Sequence, residues 1–96
     1  MRLRNRIAEL LSLPESGVGA PSIEAVETTL TDGYAAALAL DAERWRIELR
    51  LRDTTDPDER ARLSQRLETA HGQLTRLRSL LRSLHARARA MRRSAA

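Results

Sequence analysis

The fold is decided by residues 63–91, LSQRLETAHGQLTRLRSLLRSLHARARAM, in which apolar side chains recur in alternating steps of four and three. That spacing places them on one side of an α-helix, at the a and d positions of a heptad repeat. The positions are Leu63, Leu67, Ala70, Leu74, Leu77, Leu81, Leu84, Ala88 and Met91. Because the repeat is unbroken, we expect one long helix that packs along a seam in the manner of a coiled coil.

A strong helix start precedes this stretch, at Asp56-Pro57-Asp58-Glu59. Asp56 suits the N-cap, Pro57 the first helical position, and Glu59 the third position of a capping box. We therefore predict a helix over 57–93, a turn at 53–56 and a second long helix over 22–52. Helices joined by so short a turn are expected to be antiparallel neighbours. In such a pair Gly33 lies opposite Leu77, to within about one helical turn.

The first 21 residues divide into two parts. Residues 1–13 have helical apolar spacing and predict a short amphipathic helix, whereas residues 14–21 contain two prolines and two glycines, the composition of a linker. The predicted fold class is therefore all-α. A short N-terminal helix is followed by a long antiparallel helical hairpin at 22–96, which self-association assembles into a helical bundle.

The helix predicted at 22–52 carries more apolar surface than one partner helix covers. One apolar row continues through Gly33, and we expect the helix to be continuous there despite the weak helix formers at 28–33. A neighbouring apolar row does not face the partner helix of the hairpin, and a second copy of the chain is the simplest way to bury it. The predicted homodimer interface consists of Tyr34, Leu38, Trp45 and Leu49.

Composition excludes several classes of site. The chain has no cysteine, so disulfides, thiolate nucleophiles and zinc–cysteine sites cannot form. No run approaches the roughly 18 apolar residues that a membrane span needs. Arginines at 2, 4 and 6 precede an apolar stretch that Glu9 interrupts, which is unlike a secretory signal. We expect a cytoplasmic protein.

The carboxylates and histidines do not form a recognisable catalytic set. Glu24 and Glu27 lie in the first turns of a predicted helix, where they complement its dipole. Glu68-x-x-His71 resembles half of a carboxylate di-metal motif, but both residues fall outside the a and d seam. His85 does so too. We therefore expect no enzyme, with no catalytic residue, metal or cofactor.

Arginine supplies the main functional lead. All 17 basic residues are arginine, which either reflects a GC-rich genome or selection for bidentate contacts with phosphates and carboxylates. Residues 69–96 hold seven arginines and no acidic residue. These candidates for binding a partner or phosphate are Arg76, Arg78, Arg82, Arg87, Arg89, Arg92 and Arg93.

Three functions are compatible with these features. The favoured one is a homo-oligomeric, non-enzymatic helical-hairpin scaffold that presents the arginine-rich C-terminal end to a protein partner. The alternative is a nucleic-acid-associated protein that binds the phosphate backbone through the same arginines. An anionic membrane surface offers these arginines similar phosphate contacts. The third is a small-molecule-binding bundle with its pocket near Gly33, Tyr34 and Gly72, where small residues leave space.

Overall fold

A computed structural model describes residues 2–95 of the chain. It contains three α-helices: α1 (Arg2–Ser12), α2 (Ile23–Asp53) and α3 (Pro57–Ala95). No strand occurs within residues 2–95, and the all-α prediction is confirmed. The helix limits agree with the predicted ones to within two residues. The molecule is a rod of 58 × 19 × 15 Å.

Local signals define both ends of the turn between the long helices. The Asp56 carboxylate accepts a hydrogen bond from the Glu59 backbone N–H at 3.0 Å, which satisfies one of the free donors of the first turn of α3. Arg60 donates to the carbonyl oxygens of Leu51 at 2.6 Å and Thr54 at 2.7 Å. One arginine thus satisfies acceptors that the end of α2 leaves unpaired.

The start and middle of α2 are also satisfied locally. Ser22 is the N-cap, and its hydroxyl accepts from the Ala25 N–H at 3.1 Å. The hydroxyls of Thr29 and Thr31 donate to carbonyl oxygens one turn earlier, at 2.8 and 3.1 Å. Both of these hydroxyls therefore have an acceptor, and α2 continues without a break through Gly33.

The heptad positions of α3 form the core. Seven of the nine are buried, whereas Leu67 and Met91 are half-buried. The α2 side of the seam is supplied mainly by Val26, Leu30 and Ile47. Gly33 is buried against Leu81, one helical turn from the predicted Leu77 and within the precision of that prediction.

Ion pairs mark how α2 and α3 lie against each other. Arg50 pairs with Glu59 at 3.0 Å beside the turn, and Glu43 pairs with Arg66 at 3.6 Å. At the opposite end of α3, Arg92 pairs with Glu27. Contacts thus move toward the C-terminus of α3 as they move toward the N-terminus of α2.

Helix α1 covers only the end of this pair that lies far from the turn. Ile7 is fully buried there in one cluster with Val26 and Leu84, and Arg6 pairs with Asp32 at 2.6 Å. A second, smaller cluster, Ile47, Leu63 and Ala70, lies nearer the turn. Since α1 does not contribute to that cluster, the turn end of the rod is two helices thick.

Candidate functional site

Four arginines and one histidine share one exposed face of α3. They follow helical spacing of four, three, four and four residues, and each is exposed. We call them the basic stripe: Arg78, Arg82, His85, Arg89 and Arg93. At about 1.5 Å per residue the stripe is roughly 22 Å long. Arg82, Arg89 and Arg93 make no ion pair with any residue of the described part of the chain.

Arg87, one of the predicted binding residues, lies outside this stripe. Its guanidinium donates to the carbonyl oxygens of Leu13 at 2.5 Å and Leu11 at 2.7 Å, at the C-terminal end of α1. Glu15 lies 3.8 Å from the Arg87 Nε, and the Arg87 side chain is only 15% exposed. The structure therefore gives Arg87 an internal role, which is to hold the end of α1 against α3.

Three of the other predicted arginines, Arg76, Arg78 and Arg92, have internal partners but remain exposed. Arg92 pairs with Glu27, and Arg78 lies 3.9 Å from Asp41. Arg76 Nε donates to the carbonyl oxygen of Gly72 at 3.2 Å, on its own helix. Exposed ion pairs contribute little to stability, since solvent screens them. These arginines are therefore less committed to the fold than Arg87 is.

Tyr34 lies beside the basic stripe. It lines an open cleft between α2 and α3 together with Arg78, Arg82 and His85, over a floor that includes Leu81. The sequence has no aromatic residue close to these arginines, so the cleft could not be found by reading α3 alone. Only the packing of α2 on α3 brings an aromatic ring to the basic stripe.

The exposed outer face of α2 has a heptad pattern of its own. We call it the α2 stripe: Ala35, Leu38, Ala42, Trp45 and Leu49. Leu38 is 73% exposed and Trp45 is 60% exposed, whereas Leu49 is half-buried. Of the four predicted interface residues, Leu38, Trp45 and Leu49 lie in this stripe. Tyr34 lies at its edge, turned toward α3.

Glu68 and His71 lie one turn apart and line an open pocket together with Glu48, whereas His85 lies elsewhere on α3. Glu68, His71 and His85 are all exposed, and no three or more acidic or histidine residues within 2–95 come together in a way that would hold a metal ion. The pocket predicted near Gly33 is not formed at that residue, because a Cβ there would overlap Leu81. At Gly72 a Cβ would meet only Arg76 Nη2, at 3.4 Å.

Within the described residues, no helix combines the length and apolar character needed to cross a membrane. No protein-family model, curated protein or solved structure matches this chain.

Proposed function

We propose that the protein is a non-enzymatic scaffold of the cytoplasm, in which α2 and α3 act as an antiparallel helical hairpin. It self-associates through the α2 stripe and presents the basic stripe to a protein partner. The observation that carries this proposal is the exposure of Leu38 and Trp45 on one face of α2. Full burial of a leucine contributes about 1.5–3 kcal/mol relative to exposure, so a partner on this face gains substantial free energy.

A second copy of the chain suits the α2 stripe. The stripe contains no charged residue, and large side chains alternate with alanines over 35–45, which lets two such helices interdigitate. A two-fold axis would lay the stripe against its own copy, since such an interface uses the same patch twice.

Charge favours an antiparallel arrangement of the two α2 helices. Residues 23–38 contain Glu24, Glu27 and Asp32 and no basic residue. Residues 39–53 contain four arginines and four acidic residues, so this half of α2 has no net charge. Antiparallel pairing about a two-fold axis keeps the two acidic halves apart, whereas parallel pairing would lay them side by side.

Sedimentation equilibrium at micromolar concentration tests the self-association. We expect the wild-type chain to sediment with twice its monomer mass of 10.8 kDa. The double variant Leu38→Gln/Trp45→Gln is expected to sediment as a monomer with an unchanged helical circular dichroism spectrum. Val18→Gln is the matched control, because Val18 is an apolar residue that is wholly exposed in the linker. A wild-type chain that stays at 10.8 kDa would refute the proposal.

The basic stripe is tested by pull-down from the native host after nuclease treatment. A protein retained by the wild type and lost with Arg82→Gln/Arg89→Gln/Arg93→Gln supports a protein partner. The matched control is Arg2→Gln/Arg46→Gln/Arg62→Gln, which removes the same charge at exposed positions outside the stripe. Equal retention by both triple variants would contradict the assignment of the partner surface.

Nucleic-acid binding is the second candidate, and the position of Tyr34 favours it. An aromatic ring beside Arg78 and Arg82 offers a surface on which a base can stack while the guanidiniums contact phosphates. We expect binding of single-stranded RNA to weaken steeply as the salt concentration rises. We also expect it to be weaker in Arg82→Gln/Arg89→Gln/Arg93→Gln than in the wild type. Salt-independent binding, or equal affinity of the two triple variants, would eliminate this candidate.

A further inference from the structure

A cleft between α1 and α3 contains two arginines that the basic stripe does not include. We call it the α1–α3 cleft, and its lining residues are Arg4, Asn5, Ala8, Arg76, Ser79 and Leu80. Two guanidiniums, an amide and a hydroxyl therefore surround one space, and no carboxylate lines it. The lining therefore carries two positive charges and no negative charge.

Arg4, one of the lining residues, has unused hydrogen-bonding capacity. Its Nε is buried and lacks a hydrogen-bond partner, which is true of no other buried side-chain nitrogen or oxygen in residues 2–95. A buried donor without an acceptor costs free energy, and a charged one costs more. Buried donors of this kind are rare in folded proteins, and an acceptor supplied by a ligand is one way of satisfying them.

Arg76 is the second cationic group of the cleft. Its Nε is used, since it donates to the Gly72 carbonyl oxygen at 3.2 Å, and that bond holds the side chain back along α3. Neither Arg4 nor Arg76 has an ion-pair partner among the described residues. The two cationic groups come from different helices, so the cleft exists only where α1 is docked on α3.

We propose that the α1–α3 cleft binds a small oxyanion, specifically a phosphate group, between Arg4 and Arg76. Guanidiniums bind oxyanions through charge-assisted, often bidentate hydrogen bonds. A phosphate dianion matches two positive charges, and its oxygens can also accept from the Asn5 amide and the Ser79 hydroxyl. A singly charged carboxylate matches the charge and the number of donors less well. Reorientation of Arg4 toward the anion would give its Nε the acceptor that it lacks.

The phosphate can be a free ion or the terminal group of a small metabolite, because the same donors recognise both. The site is tested by titrating the full chain with inorganic phosphate and measuring the amide chemical shifts by NMR. Chloride is used to keep the ionic strength constant during the titration. We expect saturable shifts confined to residues 2–8 and 72–80. A parallel titration with glycerol 3-phosphate separates the two sources. Tighter binding of the ester indicates a metabolite, and equal or weaker binding indicates the free ion.

Variants assign the binding to the two arginines. Arg4→Gln and Arg76→Gln are each expected to weaken phosphate binding about tenfold or more, since each removes charge-assisted hydrogen bonds. Arg82→Gln is the control, because it removes the same charge from an exposed position of α3 outside the cleft. Arg76 is itself exposed, so its variant stays informative if Arg4→Gln does not fold.

Two results would overturn the proposal. One is the absence of saturable shifts with either phosphate compound. The other is an equal loss of affinity in Arg76→Gln and Arg82→Gln, which would indicate attraction to the overall positive charge. Neither result bears on the α2 stripe, so this site and the proposed self-association are tested separately.

Discussion

Arg87 shows how a single residue can look like a binding group and act as a structural one. In the sequence it belongs to a run of arginines near the C-terminus, without any mark that separates it from Arg89. In the structure it donates to two carbonyl oxygens at the end of α1. The difference depends on a contact with residues more than 70 positions away, which no local pattern can reveal.

Removal of Arg87 should therefore destabilise the fold. We expect Arg87→Ala to lower the free energy of unfolding by about 1–3 kcal/mol, because it leaves the carbonyl oxygens of Leu11 and Leu13 without their charged donor. Arg89→Ala is the control and should change stability by less than about 0.5 kcal/mol, since Arg89 is exposed. Urea unfolding followed by circular dichroism measures both. Equal stability of the two variants would contradict the assigned role.

At the scale of the helices, the sequence pattern predicted those features of the fold that local interactions control. The unbroken heptad of α3 and the capping signal at Asp56 predicted one long helix and its first turn, because both depend on residues close in sequence. The position of α1 was not predictable in this way. The position of α1 depends on the path of the linker at 14–21, which brings α1 back against α3. The α1–α3 cleft and the Arg87 contacts both result from that position.

The two central glycines provide a prediction about helix packing. Gly33→Ala should destabilise the protein by about 1–3 kcal/mol, because the added Cβ overlaps Leu81 in the core. Gly72→Ala should instead stabilise it by about 0.5–1 kcal/mol, since alanine favours helix and the nearest atom is the movable end of Arg76. Thermal unfolding reports the sign of each change. Stabilisation by both substitutions would show that α2 and α3 are not in close contact at Gly33.

At the scale of the whole molecule, the apolar residues form two sets, one buried in the core and one exposed on the surface. The heptad positions of α3 are covered by α2 and, at one end of the rod, by α1. The α2 stripe is left on the outside, with Leu38 and Trp45 mostly exposed. The sequence indicated the surplus surface, because two apolar rows on one helix exceed what a single partner covers. It could not indicate that Tyr34 turns toward α3.

Trp45 makes the central claim directly measurable, since it is the only tryptophan in the chain and lies in the α2 stripe. Its emission can be recorded while the wild-type protein is diluted from micromolar to nanomolar concentration. If the α2 stripe pairs with a second copy, emission will be blue-shifted at high concentration and will move to longer wavelength on dilution. An emission maximum typical of solvent-exposed tryptophan at every concentration would contradict the account.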